Sequence, residues 1–495
     1  MIVFRSLTTS TSFDSPRAEA ASNLRVFVAI ASHGTKNERF LARVIAEYRS
    51  MPYVVNVVVL SDIPKNPGQN VRVHVGLPDK NPWSLPFGHK QLFAEHVNDY
   101  DLFIYSEDDI LITQRNIEAF LAVSKTLPEE LIAGFVHAER DDQGGLYFDP
   151  VHSHFHWDPH SVRSIEGHTF AYYTNEHSAC YLLTQDQLKR ALQSGGFLVA
   201  PHENRYDMLC TAATDPYTQC GFKKMVCLSR LEDFTVYHLP NNKYAARPYR
   251  ASSVFYQQIE ALLNLERNGR PRNLLFNPET RLLNAGWSKD YYEGVRNDVL
   301  SLVPPAAKKI LSIGCGWGAT EQQLVKQGVR VVGIPIDSVI GSCAEQRGIE
   351  VVYADLKAAH HMLAAERFDC IFFINVLHLL PDPEGVLSSY TELLAAEGVL
   401  VIVTPNFANV MTRWRRLIGD PYYKGMASYQ NAGLHLTSRR MIRKWLRTCG
   451  MTAPRTRGVF SGRMGNIQRA LKGVMALSFA SELVMDSRKP AASLE

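Results

Sequence analysis

Ile310-Leu-Ser-Ile-Gly-Cys-Gly-Trp-Gly318 constrains this chain more than any other stretch. An apolar strand runs into glycines at alternate positions, Gly314, Gly316 and Gly318, and a helix-compatible run follows from Ala319 to Gln327. Glycine lets the backbone turn sharply, and its missing Cβ lets a bound molecule lie against the main chain. The periodicity then predicts strand 309–313, helix 319–327, strand 330–334, helix 339–347, strand 350–353, strand 369–374, helix 384–396 and strand 398–403. Strand, glycine turn, helix, strand and acid are the parts of a nucleotide-binding α/β sheet, whose ligand sits at the carboxyl ends of the strands.

A second α/β pattern lies upstream, over residues 24–250. Leu24–Ala31, Val54–Leu60, Val71–Val75 and Leu102–Tyr105 read as strands, Phe40–Tyr48 as a helix, and 76–90 as a loop rich in Pro and Gly. The last strand ends at Tyr105-Ser-Glu107-Asp108-Asp109, three carboxylates between two apolar runs. Adjacent carboxylates repel one another, a divalent cation relieves the repulsion, and hard oxygen ligands suit Mg²⁺ or Mn²⁺. Residues 251–300 read as mostly helical, interrupted by Asn268-Gly-Arg-Pro-Arg-Asn273.

At 495 residues the chain is too long for one ordinary core. The division expected is a disordered lead-in over 1–22, an α/β domain over 23–250, a helical linker over 251–282 and a second α/β domain over 283–490. A net charge of +4 is too small to argue for nucleic acid or an anionic membrane surface. The eight cysteines are scattered without a Cys-x-x-Cys pair, and reduced thiols are expected. No window is long and apolar enough for a membrane span, and the first 22 residues lack the apolar core of a secretory signal, so a cytoplasmic protein is expected.

His152-x-His154-x-His156-x-Asp158-Pro-His160 alternates, which on a strand would put the side chains on one face. That is similar to the ligand run of metal-dependent hydrolases. Pro159 interrupts it and the accompanying strand-plus-glycine framework is missing, so a polar loop with exposed histidines is expected.

The C-terminal half resembles class I S-adenosylmethionine-dependent methyltransferases, in particular the small-molecule and sugar methyltransferase group. Besides the glycine turn, the resemblance rests on Val331–Ile334, Tyr353-Ala-Asp355, Phe368–Pro383, Gly398–Phe407, His435–Leu446 and Ser481–Lys489. It implies cofactor contacts at Ser312, Gly314, Gly316, Gly318, Asp355 (toward the adenine amino group) and Asn375. Two positions depart from the family. Its carboxylate two residues before the first glycine is Ser312 here, and its ribose-binding acid at the end of the second strand is Pro335. Asp337, two residues on, is the expected substitute. His378 and His435 are candidate bases, with Tyr422 and Tyr423 in an acceptor-side insertion.

The N-terminal half resembles GT-A glycosyltransferases. Glu107, Asp108 and Asp109 stand at the place of that family's Asp-x-Asp region, with Ser32-His-Gly-Thr35 after the first strand, a helix Lys90–Asn98 and the acceptor-side segment Ser178–Thr184. His238 matches a late metal-binding histidine, and Glu203 or Asp207 an acceptor base. Together the two resemblances imply a bifunctional enzyme of glycan or glycoconjugate synthesis. It would use S-adenosylmethionine, a divalent cation, a nucleotide-sugar donor and a glycan or glycoconjugate acceptor. The alternative is a methyltransferase whose N-terminal half is an inactive acceptor-binding module.

Overall fold

The computed structural model describes residues 23–148, 154–243, 251–268, 275–282, 285–423, 425–426, 428–460 and 474–491. Contacts divide the chain into two compact units whose boundaries cut across the linear division at 250. One comprises Met1–Lys125, Ala179–Pro201 and Ala212–Phe222; the other comprises Thr126–Ser178, His202–Thr211 and Lys223–Glu495.

The first unit is built on a five-stranded sheet. Strands β1 (Arg25–Ala31), β2 (Val54–Ser61), β3 (Val71–Val75) and β4 (Leu102–Glu107) run parallel in the order β3-β2-β1-β4, and β5 (Cys180–Thr184) adds antiparallel to β4. Near-continuous apolar runs in β1 and β4 match burial on both faces. Helices α1 (Glu38–Ser50), α2 (Gly88–Glu95) and α3 (Gln185–Gln193) lie in the same unit, as does a helix over Gln114–Ser124. The helix expected over Lys90–Asn98 thus begins earlier, directly after a 3₁₀ turn over Pro82–Phe87, and ends at Glu95.

The second unit holds α4 (Ser252–Asn268) and a seven-stranded sheet. Its strands are β6 (Lys309–Cys315), β7 (Arg330–Pro335), β8 (Glu350–Val351), β9 (Phe368–Ile374), β10 (Leu394–Pro405), β11 (Arg455–Val459) and β12 (Glu482–Arg488), in the order β8-β7-β6-β9-β10-β12-β11. The first five are parallel; β12 and β11 join antiparallel. Side chains alternate between two apolar cores, Leu311, Ile313, Ile371 and Phe373 on one face and Ile310, Cys370, Phe372 and Val401 on the other. Helices α5 (Ala319–Val325), α6 (Ser338–Glu345), α7 (Leu356–Met362), α8 (Pro383–Glu392), α9 (Val410–Leu417) and α10 (Arg439–Thr448) connect the strands. The helix expected over 384–396 stops at Glu392, because Leu394 pairs with Phe368 and opens β10 four residues before the expected start.

Helix α4 falls within the stretch read as a linker and is docked within this unit. Gln257 Nε2 donates to the Ser342 carbonyl of α6 (2.6 Å), and Tyr292 Oη to Gln258 Oε1 (3.0 Å). Residues 269–274, most of the expected helix break, lie outside the described residues. Smaller strands over Leu131–Ala133, Val136–Arg140, His168–Ala171, Lys223–Cys227 and Thr235–His238 belong to the same unit. Among the described residues no helix is long and apolar enough to cross a membrane, and all eight cysteines are free thiols.

Candidate functional site

Strand β6 delivers the backbone into the glycine turn, where Gly314 and Gly318 take left-handed conformations (φ +70° and +82°) and Gly318 caps α5. At Gly316 the missing Cβ serves a different purpose from the one expected. A side chain there would strike the carbonyl of Tyr291, so a protein segment, and not open space, lies against this glycine. That segment is a strap over 289–296. Trp317 N donates to Tyr291 O (3.0 Å), Trp317 Nε1 to Glu293 O (2.8 Å), and Arg296 N to Thr320 Oγ1 (3.0 Å). From the strap, Lys289 Nζ reaches the Ile374 carbonyl (2.8 Å) and Glu293 Oε2 (2.7 Å).

Ser312, Gly314, Gly316 and Gly318 line one cavity together with Lys289, Glu293 and Glu321. A carboxylate nonetheless stands beside position 312. Ser312 Oγ donates to Glu321 Oε1 (2.6 Å), so a carboxylate from α5 reaches back beside the strand. Burial raises the Glu321 carboxyl above its usual range, opposed by the Ser312 hydrogen bond. Neither this carboxylate nor the strap was legible in the sequence. An acid nine residues downstream carries no spacing signal, and 289–296 has no periodicity.

Asp337, Asp355 and Asn375 do not line that cavity. Strand β7 ends at Pro335, and Asp337 instead caps α6, its Oδ1 accepting from Val339 N and Ile340 N (both 2.8 Å). Its Oδ2 is buried, with the Tyr291 hydroxyl as its neighbouring donor. Burial pushes this carboxyl up to about 6, against the two amide hydrogen bonds and the neighbouring Tyr291 hydroxyl. Asp355 caps α7 and is exposed. Asn375 is held in the left-handed region (φ +52°) at the end of β9, where its Nδ2 donates to Glu293 Oε1 (3.0 Å) and Glu482 Oε1 (3.2 Å).

His378 and His435 come together. His435 N donates to the His378 carbonyl (2.7 Å), and each ring is anchored through Nε2, His378 on Trp287 O (2.9 Å) and His435 on Leu380 O (3.0 Å). A carbonyl only accepts, so each Nε2 carries a proton. Burial lowers the His378 pKa to about 4, which keeps its imidazole neutral. Nδ1 of His378 is buried and has no hydrogen-bond partner. Trp287 packs on Phe407 (5.3 Å between centroids) and Tyr423 (5.4 Å), an aromatic wall beside the His378 anchor. Nothing is described of the Tyr422 side chain.

In the first unit, the carboxyl edge of the sheet carries the acidic cluster. Asp108 is buried, its Oδ2 accepting from Ser32 Oγ (2.6 Å) and its Oδ1 from Asn37 Nδ2 (2.8 Å). The same Asn37 amide donates to Asp109 Oδ2 (3.0 Å). It stands between the two carboxylates, where a bridging cation was expected. Burial, reinforced by Asp109 and Glu107, pushes Asp108 up to about 6. Lys65 Nζ completes the edge, donating to Ser32 Oγ (2.9 Å) and to the Gly34 carbonyl.

The remaining members of the expected metal and base set, His238, Glu203 and Asp207, belong to the second unit. His238 Nδ1 meets Glu139 Oε1 (2.5 Å), Asp207 Oδ1 caps a helix through Cys210 N (2.9 Å), and Glu203 is exposed. Among the described residues no group of three or more His, Cys, Asp or Glu side chains is arranged to hold a metal ion. That includes the histidine run. His152 lies outside the described residues, His156 is buried and stacked on Tyr291 (4.5 Å) where exposure was expected, and Asp158 accepts from His160 N in a turn.

Comparison with known proteins follows this division. Residues 288–453 match the family model of a methyltransferase domain. The Ubiquinone biosynthesis O-methyltransferase of Haemophilus ducreyi is 32% identical over 108 residues, 20% of this chain and 46% of that protein. Its counterpart in Actinobacillus pleuropneumoniae serotype 7 is 34% identical over 109 residues, 20% of this chain and 46% of its own length. The chain thus spans about half the length of these curated relatives. A SAM-dependent methyltransferase from Archaeoglobus fulgidus, 14% identical, covers 39% of this chain and 90% of its own, with a TM-score of 0.30. Strands β6 to β10, the glycine turn and the histidine pair fall within the stretch that matches the methyltransferase domain, and β11 and β12 lie beyond it.

Proposed function

We propose that the protein is an S-adenosylmethionine-dependent O-methyltransferase whose cofactor lies at the glycine turn. The observation that carries this reading is Asp337, a buried carboxylate just beyond the end of β7, whose Oδ2 has only the Tyr291 hydroxyl of the strap as a neighbouring donor. Burying such an atom is costly unless a donor arrives, and ribose hydroxyls are such donors. Glu321, Lys289 and Glu293 offer a charged set beside Gly314–Gly318 that fits the amino and carboxylate groups of the methionine moiety. When bound, the cofactor supplies an electrophilic methyl group. His378, neutral and anchored through Nε2, keeps Nδ1 as the site that takes a proton from the acceptor hydroxyl. The wall of Trp287, Phe407 and Tyr423 favours an acceptor with an apolar or ring-shaped body.

Isothermal titration of the full chain with S-adenosylhomocysteine tests this. Binding that is lost in Asp337→Ala supports the assignment. Equal binding by the variant removes Asp337 from the ribose role, and no binding by the wild type removes the reading.

A second activity, glycosyl transfer by the first unit in a bifunctional cytoplasmic enzyme of glycan or glycoconjugate synthesis, is favoured by one observation. The parallel order β3-β2-β1-β4 brings Asp108, Asp109 and Lys65 to the carboxyl edge of the sheet. A nucleotide-sugar panel with and without Mn²⁺ separates this from a passive acceptor-binding module. Metal-dependent binding of one donor, weakened in Asp109→Ala, favours transfer; no donor binding favours the passive module.

A further inference from the structure

Helix α9 is inside out. Five of the thirteen large apolar side chains exposed among the described residues lie in 410–418: Val410, Met411, Trp414 (53% exposed), Leu417 (85%) and Ile418. At 3.6 residues per turn they occupy an arc of about 120°. On the opposite side Thr412 is buried, tied to the capping Asn409 through Oγ1 (2.9 Å) and N (2.8 Å). The helix therefore meets the protein through Thr412, and the apolar arc faces solvent. Arg413 and Arg415 flank the apolar arc, and Arg416 follows. Arg415 lies 4.0 Å from Asp420; Arg413 and Arg416 are exposed.

We infer that α9 is an interfacial anchor that lays the second unit on an anionic phospholipid surface. A tryptophan and aliphatic side chains on one arc, with arginines at its margins, match the boundary between headgroups and acyl chains, where long basic side chains reach lipid phosphates. Helix α10 supplies further charge. It carries Arg439, Arg440, Arg443, Lys444 and Arg447 without an acid, and starts beside the same sheet edge, where Phe407 N donates to Thr437 O (3.0 Å). A second copy of the chain fits the face less well. Pairing about a two-fold axis would set like arginines against one another, and so short a helix falls far below the ~800 Å² per partner of a stable interface. The inference stands apart from the methyltransferase reading, since none of the side chains it relies on belongs to the proposed site.

Co-sedimentation of the full chain with phosphatidylcholine vesicles, with and without phosphatidylglycerol, is the test. Binding is expected only with phosphatidylglycerol, falling as salt rises. The double variant Trp414→Asp/Leu417→Asp is expected to weaken it by about tenfold or more while leaving the thermal melt unchanged, because both side chains are already exposed. Arg413→Gln/Arg415→Gln is expected to weaken binding and flatten its salt dependence. The inference is overturned if the wild type ignores phosphatidylglycerol or if the aspartate variant binds equally well. Sedimentation velocity showing a dimer that Trp414→Asp dissolves would overturn it too, assigning the face to a second copy.

Discussion

The glycine turn of the second unit and the acidic edge of the first place buried carboxylates by opposite means. At the turn, backbone geometry does the positioning. Two left-handed glycines and the docked strap set where Ser312 and Glu321 meet. At the acidic edge, side chains do it, with Asn37 donating to both Asp108 and Asp109 and Ser32 to Asp108. A site made by backbone tolerates almost no substitution, whereas one made by side chains can be rewired.

The largest effect separating the two regions is expected from Gly318→Val. It forces a β-branched residue to φ +82° and drives its Cβ into Ile349. Strain and overpacking together cost about 3 kcal/mol or more, read as a fall in the denaturation midpoint of the second unit. A melt unchanged within error would break the contrast.

Next comes Asp337→Asn, which keeps the helix cap and removes the charge. The folded-state pKa of about 6 lies above the ordinary 3.8, so protonation favours the fold. That stability is complete below about pH 4 and is lost as pH rises through 6. Relative to wild type, the variant is therefore expected to gain up to about 3 kcal/mol at pH 7.5 and nothing at pH 4, while losing S-adenosylhomocysteine affinity. Stability and binding moving in opposite directions would mark a group retained for a ligand. Matched losses in both would mean Asp337 is only a cap.

Asp108→Asn should show the smallest change, with the same pH dependence. Its carboxyl also stands at about 6, but the amide gives up one of the oxygens that Ser32 and Asn37 address. The net gain at pH 7.5 is expected to be about 1 kcal/mol, measured by thermal melts across pH. A loss of several kcal/mol would show that this edge is as rigid as the glycine turn.

Legibility followed the same contrast. The strands of the C-terminal sheet were readable because residues such as Ile310, Leu311 and Ile313 are buried on both faces and a glycine turn has a fixed spacing. Element ends slipped where one apolar pattern served two structures, as at Leu393 and Leu394, which continue the stripe of α8 into β10. The acids at 107–109 were found, but nothing in the sequence shows that Asn37, seventy-one residues before Asp108, reaches them. Glu321 stayed hidden for the same reason, and so did the interleaving of the two units. Net charge, near zero for the whole chain, concealed the local arginines of α9 and α10.

The strap over 289–296 has a consequence for kinetics. With Tyr291 seated on Gly316, the cavity at the turn measures about 20 Å³, little more than one water molecule occupies. If the proposed cofactor lies against Gly316 it displaces Tyr291, and the hydrogen bonds of Trp317 to Tyr291 and Glu293 must break first. Apparent affinity is then intrinsic affinity multiplied by the fraction of molecules in which they are broken. Loosening the strap would tighten measured binding and speed exchange without altering any group that touches the cofactor.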